Sequence, residues 1–247
     1  MNSLDPVTLI VVLALAALLP TLAIMTTSFL KIGVVLSLLR NALGVQQVPP
    51  NMALYGLAVI LTAYVMAPVA TQIGTEVSAV INPASASSSY DSRSAMGVPN
   101  QGTQNQTDDS LNLIRLENLP KLIGAVQKGI EPLRGFMLRI AKPANRDFFM
   151  RTATRLWGPE LAAKVKDTDF VILVPAFVVS ELTSAFQVGF LLFLPFVIID
   201  LIVSNVLLAM GMMMVSPITI SLPLKLFLFV MVDGWTRLIQ GLVLSYT

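Results

Sequence analysis

The stretch FVILVPAFVVSELTSAFQVGFLLFLPFVIIDLIVSNVLL, residues 170–208, decides the class of fold. Glu181 and Asp200 are its only charged residues. So apolar a run is typical of membrane helices, because a helix that crosses the hydrocarbon core needs ~20 predominantly apolar residues. We expect two segments, Phe170–Phe190 and Phe190–Leu208. A polar stripe on the first segment predicts that it packs against other helices and not against lipid alone.

A cluster of methionines follows, Met210-Gly211-Met212-Met213-Met214-Val215-Ser216-Pro217, which holds four of the chain's twelve methionines within five residues. Methionine is long, unbranched and polarizable, so several together make a surface that deforms and closes again. Gly211 loosens the backbone, and Pro217 ends helical continuity. Two interpretations are open. Met210, Met212, Met213 and Met214 either seal a conduit as a soft apolar gate or fill gaps in a helix core.

Leu222–Leu244 is predicted as the last apolar helix. Asp233 and Arg237 lie four residues apart with the acid first, which is the favourable order for an intrahelical ion pair. Trp235 and Tyr246 are candidates for a membrane interface, and Trp235 equally for the core.

Charges within these apolar segments are candidates for buried charges or subunit contacts. Glu181 and Lys225 sit in otherwise apolar segments, where an unpaired charge costs at least ~2.5 kcal/mol, so each is expected to have a partner within the subunit or across a subunit boundary. The alternative is a position at a helix end in contact with water. The candidates are Glu181, Lys225, Asp200, Asp233 and Arg237.

Composition extends the membrane interpretation to the whole chain. Of 247 residues, 55% are hydrophobic and 12% are charged, against roughly 25% charged in soluble domains. The mean hydropathy is +0.77. The absence of cysteine and histidine excludes disulfides, the usual zinc sites, thiol nucleophiles and imidazole catalysis. A net charge of +2 is too small to indicate nucleic-acid binding. No paired aspartates, base-activated serine or nucleotide motif stands out, so we expect neither an enzyme nor a cofactor site.

The charged residues divide the chain into three parts. Residues 1–72 hold three of the 30 charges and residues 170–247 hold five, so 22 lie in residues 73–169. We therefore expect N-terminal apolar helices, a polar helical insert, and C-terminal apolar helices. Within the insert, residues 82–109 are mostly small and polar and predict a flexible loop.

The N-terminal part predicts a broken helix followed by a hairpin. Pro20 interrupts the apolar run Val7–Leu30, and the hydroxyls after it can satisfy the freed backbone groups. Phe29–Leu43 and Met52–Gln72 are the next predicted helices.

The positions of the first charged residues give two further predictions. Asp5 and Pro6 precede the first apolar run, and the first basic residue is Lys31, so the positive region of a signal peptide is missing. We expect this segment to stay on the protein. Lys31 and Arg40 place residues 31–50 in the cytoplasm by the positive-inside rule.

The insert becomes amphipathic after the loop. We expect a helix from about Leu111 that Pro120 kinks or divides, and a second over Ile130–Ile140. A third is expected over Asn145–Leu156 with Asn145 as its N-cap, followed by a short turn over Glu160–Lys166. The charges of the whole insert, residues 73–169, predict a solvated helical surface.

Two long motifs connect these residues to a known family. The run PAFVVSELTSAFQVGF, residues 175–190, closely resembles the first signature of the FliP/SctR family of type III secretion export-gate proteins. The segment from Pro223 to Trp235 resembles the second. Val188 stands where the family usually has Ile or Met, a conservative change. LSLLRNALGVQQ, residues 36–47, and the methionine cluster extend the resemblance across both apolar blocks.

The resemblance implies a ring-forming subunit of a helical export gate. Family members assemble as a pentamer with FliQ/SctS-like and FliR/SctT-like subunits in the larger export apparatus of a flagellum or injectisome. The gate lies in the bacterial inner membrane at the basal body, partly above the bilayer on the periplasmic side, and unfolded secreted proteins pass through it. The methionine cluster is implied to be the gasket. The chain's length and expected lack of a leader favour the virulence-type injectisome branch.

Two other functions fit broken helices with intramembrane charges. A small-solute transporter is one, although it would more typically have inverted repeats and a polar midplane site, neither of which is evident. A structural scaffold for other membrane proteins is the second, and it predicts that gate mutations leave permeability unchanged.

Overall fold

The computed structural model describes residues 6–45, 49–81, 119–212 and 214–247. Within these ranges the chain is α-helical and forms no strand, which confirms the predicted all-α class. The helices are α1 (Pro6–Thr26), α2 (Phe29–Leu43), α3 (Asn51–Ile81), α4 (Leu119–Ile140), α5 (Pro143–Trp157), α6 (Pro159–Ala162), α7 (Phe170–Ala209), α8 (Pro217–Met231) and α9 (Gly234–Leu244). The predicted loop over residues 82–109 lies outside the described residues.

Contacts divide the chain into two compact units. One unit comprises the described residues up to 66 and from 137 onward, and in it α7 packs against α2, α5 and α8. The other comprises the described residues between 67 and 136, and in it Gly129 of α4 lies against Val77 and Ile73 of α3.

Helix α7 is continuous over 40 residues, which corresponds to about 60 Å at 1.5 Å per residue. The prediction of two successive segments is therefore wrong, since the helix continues through Pro175 and Pro195. A proline removes one hydrogen bond of the helix, and packing can outweigh that loss. Gly189 contributes to this packing, because a Cβ there would lie 2.3 Å from Leu38 Cδ1 of α2.

The N-terminal break lies later than predicted. Helix α1 continues through Pro20 to Thr26, and the axis then bends by 79° into α2. The hydroxyls of Thr26 and Thr27 donate to the carbonyls of Leu22 and Ala23, each at 2.7 Å. Bonds of this kind to the carbonyl four residues back tend to bend helices, which explains why the break follows the threonines.

The predicted single helix Leu222–Leu244 is instead a bent pair. Helices α8 and α9 meet at 62°. Asp233 between them has φ of 54°, a left-handed conformation that cannot continue an α-helix. The apolar periodicity continues across this residue, so the pattern alone did not indicate the bend.

The insert also differs in detail. Helix α4 continues through Ile130 to Ile140, so the predicted separate helix there belongs to a longer one. The predicted start near Leu111 lies outside the described residues. Helix α5 begins at Pro143 after Lys142, and Asn145 is not its cap, because proline is well suited to the first helical position. The short turn predicted after it is α6, which ends at Ala162.

By length and composition, two of the described helices can cross a membrane, α3 and α7. The number rises to four if each bent pair, α1 with α2 and α8 with α9, forms one span.

Candidate functional site

The methionine cluster forms the turn between α7 and α8. Gly211 has φ of 73° and ends α7 with a Schellman motif. Its amide donates to the Leu208 carbonyl at 3.1 Å, and the amide of Met212 donates to the Leu207 carbonyl at 3.0 Å. These two bonds terminate the helix. Methionines on either side of Gly211 are therefore carried on a sharp, hydrogen-bonded turn.

The described methionine side chains of this turn lie outside the core of the chain. Met210 and Met212 are exposed, and Met214 is fully exposed. Met213 lies outside the described residues. The described methionines of the cluster therefore do not fill a core within this subunit, and the interpretation as gap-fillers would require a second molecule against them.

Glu181 of α7 lies in a buried ion pair with Lys31 of α2. The Lys31 Nζ is 3.1 Å from Glu181 Oε1, and the two side chains are 3% and 1% exposed. Tyr246 donates its hydroxyl to the second carboxylate oxygen, Oε2. Both oxygens of Glu181 are therefore paired within one subunit. The ion pair joins the first residues of α2 to the first half of α7.

The Tyr246 hydroxyl stays protonated in this environment. Burial raises its pKa, and the charge of the neighbouring Glu181 carboxylate raises it further. The carbonyl oxygen of Ser28 lies 3.3 Å from the same hydroxyl and is its alternative acceptor. Tyr246 is buried, so the prediction that it marks a membrane interface is wrong.

Lys225 of α8 pairs with Asp200 of α7. Its Nζ is 2.6 Å from Asp200 Oδ2 and 3.4 Å from the carbonyl oxygen of Ala42. The Lys225 side chain is 7% exposed and that of Asp200 is 43% exposed. A cation near the last carbonyls of α2 is also favourable for the helix dipole. Lys225 thus connects α8 to α7 and to the C-terminal end of α2.

Asp233 and Arg237 do not form an ion pair in the structure. The Asp233 carboxylate instead accepts a hydrogen bond from Thr236 at 3.0 Å. Their backbones are joined by the Arg237 amide, which donates to the Asp233 carbonyl at 3.2 Å. Asp233 precedes the helix in a left-handed conformation, so the spacing of four residues does not bring the side chains together as it would inside a helix. Both residues are exposed.

Lys31 and Tyr246 are the residues of this site that the sequence reasoning missed. Lys31 was used only for membrane orientation, although it is the one charge in the first half of α2 and carries the same cost of burial as Glu181. That cost was the available signal. Nothing in the sequence placed Tyr246 beside these residues, which are more than 60 positions away.

The described part of the chain has extensive exposed apolar surface and no apparent metal site. No group of three acidic side chains converges within the described ranges. Large apolar side chains are exposed along α7 and α8, and lipid or other subunits must cover them in a stable assembly. They include Phe186, Phe190, Leu191, Leu201, Phe227 and Val230.

Comparison with known proteins gives full-length relatives. Yop proteins translocation protein R of Yersinia pestis is 47% identical over 242 residues, covering 98% of this chain and 97% of that protein. Harpin secretion protein HrcR of Erwinia amylovora is 43% identical over 242 residues, with the same coverage. Virulence protein YscR of Salmonella typhimurium is 40% identical over 243 residues, covering 98% of each chain. The family model described as the FliP family matches residues 12–242, so the chain belongs to the FliP family.

Proposed function

We propose that this protein is a core subunit of a type III secretion export gate, through which unfolded proteins cross the bacterial inner membrane. Membership of the FliP family supports this function, as do relatives whose names describe translocation and secretion over nearly the full length of the chain. The virulence-related name of one relative favours the injectisome branch. The proposed role is that of an apparatus component and not of an enzyme.

We further infer that the subunit acts within a ring. The family resemblance implies a pentamer with FliQ/SctS-like and FliR/SctT-like subunits, partly above the bilayer on the periplasmic side. The exposed apolar side chains of α7 and α8 support burial against neighbouring subunits or lipid. The proposed partners account for this surface without requiring every helix to face lipid.

The single observation that carries the gate function is the exposed methionine turn between α7 and α8. A ring of subunits would bring several copies of this turn to one axis, where their thioether side chains form an apolar constriction. Such a constriction resists ions because water leaves it, while flexible side chains fold around a passing polypeptide. Two backbone hydrogen bonds hold the turn at Gly211, and we infer that the side chains of the exposed methionines provide the closure.

The test shortens the methionines without changing the helices. Replacing Met212, Met213 and Met214 by alanine is expected to widen the constriction, so that ions and small solutes leak through cells that express the assembled gate. The amount of assembled complex should stay near that of the unmodified protein. Met52→Ala is the control, because Met52 is also exposed but lies at the start of α3. It should leave permeability unchanged.

The competing functions give different results in the same experiment. A core-packing role of the methionines predicts less complex and no leak from what remains. A structural scaffold predicts no change of permeability. A small-solute transporter predicts altered uptake of one solute class without a general ion leak. Each of these outcomes would overturn the gate assignment.

A further inference from the structure

The last residues of the chain return to the buried ion pair between α2 and α7. Tyr246 donates to Glu181 Oε2, and its ring lies under the Lys31 ammonium, with Nζ 4.0 Å from the ring centroid. Ser245 Oγ lies 3.2 Å from the same Nζ. Of the residues that follow the last helix, Tyr246 contacts both members of the ion pair and Ser245 contacts Lys31.

These contacts supply the remaining hydrogen-bond and cation–π partners of the two buried charges, Lys31 and Glu181. A buried ammonium requires acceptors for its three N–H groups, and Lys31 has Glu181 Oε1, Ser245 Oγ and the face of the Tyr246 ring. A buried carboxylate requires donors at both oxygens, and Glu181 has Lys31 and Tyr246. Without Ser245 and Tyr246, the ion pair between Lys31 and Glu181 would be the one contact left to each charge among those described above.

The same contacts reach the bend between α1 and α2. The carbonyl oxygen of Ser28, at this bend, lies 3.3 Å from the Tyr246 hydroxyl and 3.3 Å from the amide of Ile32, which begins the hydrogen bonding of α2. The Ser28 hydroxyl is buried and has no hydrogen-bond partner among the described residues. The end of the chain therefore also contacts the backbone of the bend, where the single hydroxyl hydrogen of Tyr246 has the Ser28 carbonyl as its second acceptor besides Glu181.

We propose that Ser245 and Tyr246 form a C-terminal latch, in which they act as positioning residues that complete the Lys31–Glu181 ion pair and hold the α1–α2 bend against α7. The latch rests on contacts within one subunit and is independent of the proposed function. Thr247 follows the latch, and its hydroxyl donates to the Leu244 carbonyl at 2.8 Å.

Apolar packing alone would anchor the chain end differently. Leu238 and Leu242 of α9 are buried and would hold the helix in place without any charge. A latch, by contrast, requires that the position of Tyr246 depend on the carboxylate of Glu181. This dependence is measurable as coupling between the two residues.

Digestion from the C-terminus, applied to protein expressed so that it ends at Thr247, measures whether Tyr246 is held. In the detergent-purified complex, a carboxypeptidase should remove Thr247 and then pause before Tyr246, as followed by mass spectrometry. Glu181→Gln should raise the rate of Tyr246 release by at least about tenfold, since the hydroxyl then loses a charged acceptor. Thr236→Val, which removes an exposed hydrogen bond of α9, is the control and should not change the rate.

A double-mutant cycle identifies the cause. Tyr246→Phe keeps the ring and its contact with Lys31 but removes the hydroxyl. Its effect on the thermal midpoint of the complex should be clear in the unmodified background and at least about threefold smaller in Glu181→Gln. Equal effects in both backgrounds would overturn the latch and leave apolar anchoring. If the variants do not assemble, removal of Tyr246 as fast as Thr247 from the unmodified protein would overturn it equally.

Discussion

Replacing Lys31 by methionine is the sharpest perturbation of the buried ion pair. The change keeps the length and apolar stem of the side chain but leaves the Glu181 carboxylate, 1% exposed, without its cation. Removing one partner of a buried pair typically costs ~3–5 kcal/mol, because the remaining charge is uncompensated. Against a total stability of roughly 5–15 kcal/mol, this is a large fraction. We expect a severe loss of folded protein.

A second substitution should recover most of the loss. With Glu181→Gln added to Lys31→Met, no buried charge is left at the site, and the glutamine oxygen still accepts from Tyr246. Replacing a whole buried pair by neutral groups is often close to neutral, so the double variant should be more stable than Lys31→Met alone by ~2 kcal/mol or more.

The assay is thermal or denaturant unfolding in detergent, together with the yield of assembled complex. Glu181→Gln combined with Lys225→Met is the control, because Lys225 pairs with Asp200 and shares no partner with Glu181. Their effects should add to within ~0.5 kcal/mol. If Lys31→Met is tolerated as well as an exposed substitution, or if its effect simply adds to that of Glu181→Gln, the reasoning about this pair is refuted.

The remaining predictions concern packing and the methionine turn. Gly189→Ala should lower the stability of the folded protein by ~1–3 kcal/mol, since the new Cβ would lie 2.3 Å from Leu38 Cδ1 and 3.2 Å from its Cβ. Gly241→Ala, where a new Cβ would have nothing within 4 Å, is the control and should be neutral or slightly stabilising. Equal thermal midpoints of the two variants would contradict this prediction. Lys225→Met should lower the yield of complex more than Asp200→Asn, because the Lys225 side chain is 7% exposed and lies against the Ala42 carbonyl, while that of Asp200 is 43% exposed. The reverse order would show that Asp200 is the critical partner. Gly211→Asn should preserve secretion better than Gly211→Val, because asparagine tolerates a positive φ and a β-branched residue does not; equal secretion would show that the Schellman turn is dispensable.

The helices were largely predictable, but their breaks were not. Apolar runs and amphipathic patterns gave the class and the approximate place of the apolar helices. The prolines predicted breaks that do not occur, since α1 continues through Pro20 and α7 continues through Pro195. The real breaks follow two threonines in one case and a left-handed Asp233 in the other. A proline costs one hydrogen bond, whereas a break depends on what packs around it.

The cost of burying charge explains how much of the site the sequence indicated. Glu181 and Lys225 were recognisable as residues that need partners, because they stand alone in apolar segments. Their partners were not recognisable, since Lys31 lies 150 residues before Glu181 in the sequence. The Asp233 and Arg237 pair was a local inference from spacing, and it does not form because Asp233 is not in a helical conformation.

The sequence by itself determined that the chain is an all-α membrane-type protein of the FliP family, that it carries charges at apolar depth, and that its methionines are concentrated in one segment. These properties depend on composition and short-range periodicity. Only the tertiary structure decided that Glu181 pairs with Lys31 while Lys225 pairs with Asp200, that Tyr246 returns to the buried charges, and that the described methionines of the turn are exposed. The physical reason is that desolvation obliges a buried charge to find a partner, but the packing of distant helices selects which one.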